Sequence, residues 1–201
     1  MLNVLARARI SRVLDPIGSG LHRAGVSPDV VTVAGTVCVV AASIGFVARG
    51  HLLWGIIAVT LSVCTDMLDG AIARARGTAS RWGAFLDSTM DRVADCTIFS
   101  CLAYWLAGAG RPGAAAAALT CLVLGVVVSY AKARAEGLGL KCNVGIAERS
   151  ERLIIAGLGA IGEVANLRYS LAVSLWLLAV LALITVGQRF HTVWQQTREL
   201  P

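Results

Sequence analysis

Four aspartates, grouped in two pairs, are the residues of this chain whose type and spacing best suit chemistry. Asp66 and Asp69 are three residues apart, and Asp87 and Asp91 are four apart, so each pair shares one face of a helix. Both pairs adjoin apolar segments, where a charged side chain costs about 2.5–3.5 kcal/mol on insertion scales. Clustered carboxylates repel one another unless cations neutralise them. Because residues 66–91 contain no Cys or His, the pattern indicates a hard divalent cation, Mg²⁺ or Mn²⁺ before Zn²⁺.

Membrane-spanning helices are the elements that must position these aspartates. Of the 201 residues, 57% are hydrophobic and 15% are charged, and the mean hydropathy is +0.73, as is typical of multi-span helical membrane proteins. The loop between the two pairs is short and basic, which predicts an antiparallel return that holds both pairs at the same depth. Apolar segments predict six spans, at about residues 30–47, 52–73, 82–106, 114–131, 153–164 and 171–186.

The N-terminal segment predicts an amphipathic helix that lies in the membrane interface ahead of the spans. Apolar residues recur there at near-helical spacing between arginines, whose long stems can snorkel. A soluble helix packed on a partner, or a mobile leader, is the alternative. We therefore predict an all-α integral membrane protein with six transmembrane helices in a single domain. Its parts are an interfacial helix over 1–23, a six-span bundle over 29–188 and a cytoplasmic tail over 189–201.

The distribution of charge indicates membrane topology and an anionic ligand. The net charge is +6, but the basic residues lie between apolar segments and form no surface stripe, so nucleic acid binding is not expected. If the N-terminus is cytoplasmic, only Arg49, Arg111 and Arg168 of the 18 Lys and Arg fall outside. The positive-inside rule then predicts a cell-membrane protein with both termini and the four aspartates at the cytoplasmic face.

The spacing around the aspartates also resembles a known motif, D-x-x-D-G-x-x-A-R-x8-G-x3-D-x3-D. Its fixed positions are filled in order by Asp66, Asp69, Gly70, Ala73, Arg74, Gly83, Asp87 and Asp91. The pattern is similar to the full signature of the CDP-alcohol phosphotransferase family, which comprises integral membrane enzymes of phospholipid synthesis. The resemblance implies that CDP-diacylglycerol donates its phosphatidyl group to the hydroxyl of an alcohol and that CMP is released.

The resemblance also implies a role for each aspartate. Asp66, Asp69 and Asp87 would be metal ligands. The metal would be two Mg²⁺ ions, with Mn²⁺ as the alternative. Asp91 would be the general base that removes the alcohol proton, and it would touch the second metal as well. Such metals stabilise charge on the attacking and leaving oxygens of an in-line displacement.

The resemblance implies that CDP-diacylglycerol is contacted at the start of the first span and in the motif region. The implied residues are Asp29, Thr32, Asp66, Gly70, Arg74 and Ser80. Just before Asp29, Ser27 is a predicted N-cap and Pro28 the first helical residue. Free backbone N–H groups at such a helix start suit an anion. The alternative is a helix start without a ligand. A side chain at Gly70 would block cytidine from the helix backbone, and the Arg74 guanidinium suits the pyrophosphate.

Three basic residues outside the motif predict a pocket for an acceptor that is itself anionic. Lys132, Arg152 and Arg189 are expected to converge at the cytoplasmic mouth, with positive-inside topology alone as the alternative. The sequence of residues 129–139 and 148–152 resembles that of the actinobacterial branch of the family, which uses inositol phosphate as the acceptor.

Several neighbouring residues have open roles. The second-rank candidates for the acceptor pocket are Arg134, Glu148 and Arg149. Asp95 continues the face of Asp87 and Asp91 by one turn. It is expected to be an outer metal ligand, a partner of Arg92 or a partner of another buried polar group.

Two other functions remain as alternatives. A phosphatidylglycerophosphate synthase also has a phosphate monoester as its acceptor, so the count of basic residues does not separate it. A divalent-cation transporter would use the acidic cluster as its permeation site, but Arg74 beside that cluster opposes cation passage. The family resemblance further implies a homodimer, which the small residues of the third and fourth spans allow.

Overall fold

The computed structural model describes residues 27–62 and 80–198, and the regular secondary structure within these ranges is helical. A 3₁₀ turn over Val47–Arg49 follows the first helix. The helices are α1 (Pro28–Gly45), α2 (Leu52–Ser62), α3 (Arg81–Gly108), α4 (Pro112–Gly137), α5 (Arg149–Val164) and α6 (Ser170–Arg198).

Three of the described segments are long and apolar enough to cross a membrane. They are Pro28–Arg49, α4 and α6, and α2 is a shorter apolar helix. α3 carries charged residues through its first half, and α5 has 16 residues. The described residues thereby confirm an all-helical fold with three candidate spans, whereas the count of six spans stays a prediction. The predicted interfacial helix over 1–23 lies outside the described residues.

The helix ends differ from the predicted spans where polar sequence continues a helix. α4 runs on to Gly137 and α6 to Arg198, so most of the expected tail over 189–201 is helical. Loss of hydropathy marks where an apolar face ends, but a helix ends only where its backbone pattern breaks. The Arg198 guanidinium lies 3.9 Å from the Trp194 ring centroid, which contributes a cation–π contact to the last turn.

The described residues fall into two compact units. The first comprises residues 27–43, 57–62 and 80–94, and the second comprises residues 44–56 and 95–198. α3 thus begins in the first unit and ends in the second.

Serines begin two helices of the first unit. Ser27 Oγ accepts a hydrogen bond from the Val30 amide at 3.3 Å, so Ser27 caps α1 and Pro28 takes the first helical position, as predicted. Ser80 Oγ accepts a hydrogen bond from the Gly83 amide at 2.8 Å. Both helices therefore start at a residue whose side chain satisfies an amide that the helix leaves unbonded.

In the second unit, α6 packs against both α4 and α5. Small residues allow the close approach: a Cβ on Gly159 would lie 1.8 Å from Ser174 Oγ, so only glycine fits there. The Cys121 thiol donates to the Leu175 carbonyl at 3.1 Å, which joins α4 to α6. Fully or nearly fully buried apolar residues fill the core between these helices, among them Ala117, Ala118, Cys121, Leu171, Leu175, Leu178 and Ala182.

Candidate active site

Two of the four motif aspartates lie within the described residues, on α3 in the first unit. Asp87 is exposed, and Asp91, one turn further, keeps 18% of its side chain exposed beside the Arg92 guanidinium at 3.8 Å. Both carboxylates are thus accessible oxygen donors on one helical face. Oxygen donors of this type suit a hard divalent cation. Asp66 and Asp69, the other expected ligands, lie outside the described residues, as do Gly70 and Arg74.

Two expected CDP-diacylglycerol contacts come together at a motif glycine. A Cβ built on Gly83 would lie 3.0 Å from Ser80 Oγ and 3.7 Å from Asp29 Oδ1. The first turns of α1 and α3 therefore lie close together in the first unit. Gly83 is thus a backbone position at the start of α3 that both the Ser80 and the Asp29 oxygens face.

The structure gives Ser80 and Thr32 helix-internal hydrogen bonds. Ser80 is the N-cap of α3, so its oxygen already accepts a hydrogen bond and its hydroxyl proton is what it can offer to a ligand. Thr32 is buried, and its hydroxyl donates to the Pro28 carbonyl at 3.2 Å. Asp29, which is only half-buried, is the more accessible side chain at the start of α1.

Asp95, in the second unit, has the third of the roles that the sequence left open, as a partner of another buried polar group. Its Oδ2 accepts a hydrogen bond from Arg152 Nη2 at 2.7 Å, and its Oδ1 accepts one from Arg149 Nε at 3.4 Å. Arg152 is 2% exposed and Asp95 is 7% exposed. Asp95 is therefore a partner of the half-buried Arg149 and of the buried Arg152, which was predicted to bind the acceptor.

Arg152 is also bound to the loop that precedes α5. Its Nη1 donates to the Ala147 carbonyl at 3.3 Å, whereas its buried Nε–H has no hydrogen-bond partner in the part of the chain that the structure describes. Gly125 of α4 makes room for it, since a Cβ there would lie 3.4 Å from that Nε. The guanidinium is thus fixed at two of its nitrogens, and the described residues leave the third, Nε, without a partner.

Arg189 holds the same loop from α6. Its Nε donates to the Val144 carbonyl at 2.9 Å, Nη1 donates to the Val128 carbonyl, and Nη2 lies 3.7 Å from Glu148 Oε1. The prediction located Arg189 after the last span, but it lies inside α6 and is 3% exposed. Arg152 and Arg189 therefore meet at one loop, residues 144–148.

Lys132 lies on α4 one turn beyond the Val128 carbonyl that Arg189 binds. Its Nζ is 4.0 Å from Glu136 Oε1, and 37% of its side chain is exposed. Arg134 is exposed on the same helix. The second unit therefore brings Arg152 and Arg189 to one loop and leaves Lys132 accessible on the adjacent helix.

Two residues that support this loop were missed by the sequence reasoning. The Thr185 hydroxyl accepts hydrogen bonds from the Ile146 and Ala147 amides at 3.2 and 3.0 Å. Gly145 has φ +141°, and a Cβ there would lie 2.6 Å from Thr185 Cγ2. A lone threonine in an apolar span, and a glycine in the facing polar segment, were the signals available for them.

Comparison with known proteins gives consistent similarities over nearly the whole chain. A family model for CDP-alcohol phosphatidyltransferase matches residues 25–194. The chain is 48% identical to the phosphatidylinositol phosphate synthase of Streptomyces avermitilis, over 99% of this chain and 85% of that protein. It is 46% identical to the phosphatidylinositol phosphate synthase of Mycobacteroides abscessus, over 96% of this chain and 89% of that protein.

Solved structures are similar in fold as well as in sequence. The crystal structure of Mycobacterium tuberculosis phosphatidylinositol phosphate synthase with CDP-DAG bound matches with a TM-score of 0.84 at 46% identity, over 91% of this chain and 94% of that chain. The same enzyme in complex with manganese and citrate matches with a TM-score of 0.85 at 45% identity, over 90% of this chain and 88% of that chain.

Proposed function

The chain belongs to the CDP-alcohol phosphatidyltransferase family, and we propose from this that it is a phosphatidylinositol phosphate synthase. In the proposed reaction, a hydroxyl oxygen of inositol phosphate bonds to the lipid-bearing phosphorus of CDP-diacylglycerol. The phosphoanhydride bond to CMP breaks, and CMP leaves. The observation that carries this proposal is the 48% identity to a phosphatidylinositol phosphate synthase over 99% of the chain.

Divalent metal suits the oxygen donors that are present. Asp87 and Asp91 offer accessible carboxylates on one face of α3, and a structural neighbour was solved with manganese. We propose that Asp66, Asp69, Asp87 and Asp91 together hold two Mg²⁺ ions, with Mn²⁺ as a substitute. When bound, these ions would neutralise charge on the oxygens of the transferring phosphoryl group.

Asp91 is the proposed general base. It would accept the proton of the attacking hydroxyl, which makes the oxygen a better nucleophile as the new bond forms. Its partial exposure supports this role, because a base must reach a substrate proton and still be shielded from bulk water.

CDP-diacylglycerol is proposed to bind at the start of α1 and through the motif. Asp29, Thr32 and Ser80 would contact the nucleotide, together with Asp66, Gly70 and Arg74. The closeness of Asp29, Ser80 and Gly83 within the first unit supports this proposal. Arg74 is suited to the pyrophosphate, since a guanidinium can donate two parallel hydrogen bonds to phosphate oxygens.

Lys132, Arg152 and Arg189 are proposed to bind the phosphate of the acceptor. The Nε–H of Arg152, for which residues 27–62 and 80–198 provide no partner, supports this role. A buried donor without a partner is unfavourable by about 1–3 kcal/mol, and a phosphate oxygen would satisfy it. Both arginines are bound to the 144–148 loop, so a small shift of this loop would change the donors that they present.

The membrane setting follows from the apolar helices, and its details are part of the proposal. Pro28–Arg49, α4 and α6 are long and apolar enough to cross a membrane. We propose a multi-pass protein of the cell membrane with six spans, with both termini and the active site at the cytoplasmic face, where the nucleotide is. A homodimer is the proposed assembly.

The test is CMP release by the purified protein from CDP-diacylglycerol with Mg²⁺, with inositol phosphate, glycerol 3-phosphate or free inositol as the acceptor. We expect turnover with inositol phosphate and none with free inositol, because the proposed arginine and lysine contacts are to the phosphate of the acceptor. Turnover with glycerol 3-phosphate alone would keep the reaction and overturn the acceptor. No release of CMP with any acceptor would overturn the function itself.

A further inference from the structure

We propose that Asp95 is a positioning residue that orients Arg152, and with it the acceptor phosphate, although Asp95 lies outside the family motif. The inference rests on the proposed function, since it assigns the acceptor to Arg152. The observation behind it is one buried carboxylate that accepts hydrogen bonds from two arginines of the first turn of α5, Arg152 at 2.7 Å and Arg149 at 3.4 Å.

The geometry makes Asp95 decisive for the direction of the Arg152 guanidinium. This group is planar and carries its five N–H donors in a fixed fork, so fixing two of its nitrogens fixes the third. Asp95 binds Nη2 and the Ala147 carbonyl binds Nη1. Nε, the nitrogen for which the described residues provide no hydrogen-bond partner, is buried beside Gly125, and the direction of its N–H is therefore determined by Asp95 and the loop.

The same carboxylate joins α3 to the acceptor loop of the second unit. Arg149 and Arg152 are three residues apart, so they lie on one face of the first turn of α5. That turn follows directly on residues 144–148, which Arg189 and Thr185 bind from α6. Without Asp95, the loop would keep its contacts with α6 but lose its link to α3 through Arg152.

Positioning and simple charge compensation predict opposite outcomes for the loss of this carboxylate. Asp95→Asn removes one negative charge next to the proposed phosphate site, so the local potential becomes more positive. If Asp95 acted through its charge alone, an anionic acceptor would bind more tightly and its KM would fall. If Asp95 orients Arg152, the asparagine amide would face guanidinium N–H groups with its own donors, and the acceptor KM would rise.

The experiment measures CMP release by the full-length Asp95→Asn protein while each substrate is varied in turn. We expect the KM for inositol phosphate to rise by about tenfold or more, which corresponds to the loss of a hydrogen bond to a charged group. The KM for CDP-diacylglycerol should change by less than about twofold. A merely structural defect would lower the amount of active enzyme and leave both KM values unchanged.

Glu163→Gln is the matched control. Glu163 also pairs with an arginine in the second unit, accepting from Arg111 at 2.6 and 3.3 Å, but it joins the start of α4 to the end of α5, away from the 144–148 loop. This variant should leave the KM for inositol phosphate unchanged. An equal rise in both variants would overturn the proposal, because any lost ion pair would then have the same effect.

Asp95→Glu keeps the proposal testable if the asparagine variant does not fold. Glutamate retains the charge but displaces the carboxylate by one methylene, so a positioning role predicts a smaller but selective rise in acceptor KM. An unchanged or lower acceptor KM in the variants that fold would overturn the role of Asp95. Failure of the proposed function is distinguishable, because the unmodified protein would then show no turnover with inositol phosphate.

Discussion

Thr185→Val should loosen the loop that carries the acceptor residues, by removing a single hydroxyl. Thr185 is fully buried in α6. Its Oγ1 accepts hydrogen bonds from the Ala147 amide at 3.0 Å and the Ile146 amide at 3.2 Å, and it donates to the Leu181 carbonyl at 2.9 Å. Valine has nearly the same shape, so the substitution leaves no cavity and isolates the effect of the hydrogen bonds.

The expected loss of stability follows from the two amides. The Ala147 amide is buried, and a buried donor left without a partner costs about 1–3 kcal/mol. The Ile146 amide is partly buried, so water can replace part of its bond and roughly 0.5–1.5 kcal/mol is lost. The Leu181 carbonyl keeps its helical backbone partner. We therefore expect a loss of about 2–4 kcal/mol, or a fall in Tm of roughly 5–15 °C for a chain of this size.

Thermal unfolding in detergent and CMP release with varied inositol phosphate are the measurements, and Thr185→Ser is the control because serine retains the hydroxyl. The valine variant should show the lower Tm and a KM for inositol phosphate raised by about threefold or more, since Arg152 and Arg189 both bind carbonyls of this loop. The serine variant should resemble the unmodified protein in KM. Equal Tm and KM values for the two variants would refute the reasoning.

Three further predictions concern the first unit. Asp91→Asn should reduce turnover by at least about a hundredfold without lowering Tm, and retained CMP release would remove Asp91 as the base. Gly83→Ala places a methyl 3.0 Å from Ser80 Oγ, so we expect a loss of about 1 kcal/mol from the cap and a selective rise in the KM for CDP-diacylglycerol; an unchanged KM would contradict the proposed contact. EDTA should abolish CMP release and added Mg²⁺ or Mn²⁺ should restore it, and full activity in EDTA would exclude the metal site.

Helix starts were predictable from sequence because they depend on local chemistry. Ser27 and Pro28 indicated the start of α1, and the structure confirms the cap. The C-terminal extent of α6 was not predictable from hydropathy, since residues beyond the apolar segment continue the helix with polar side chains. The resemblance to the family was carried by the motif, and the comparisons confirm it.

The partners of the predicted acceptor residues could not be read from the sequence. Arg152 and Asp95 are 57 residues apart and Arg189 and Val128 are 61 apart, and no local pattern encodes such pairings. Counting basic residues also treats every arginine as available. The structure shows that Arg152 and Arg189 use several donors within the protein, a fact that only the fold determines.

The charges of the buried arginines in the second unit must be compensated by nearby groups, and the kind of group bears on acceptor recognition. A charged group removed from water is strongly unfavourable unless it is paired and hydrogen-bonded. Arg189 is bound by the backbone carbonyls of Val128 and Val144 and lies 3.7 Å from the exposed carboxylate of Glu148. Arg152 instead binds the buried carboxylate of Asp95 at 2.7 Å, and its Nε has no partner among the described residues. Because the Glu148 carboxylate is more distant from its arginine than Asp95 is and is exposed to solvent, it neutralises less charge, and Arg189 would supply more of the positive potential at the loop. Arg152 would instead supply a directed donor, so substitutions of Arg189 should weaken every anionic acceptor alike, whereas changes around Arg152 should alter discrimination among acceptors.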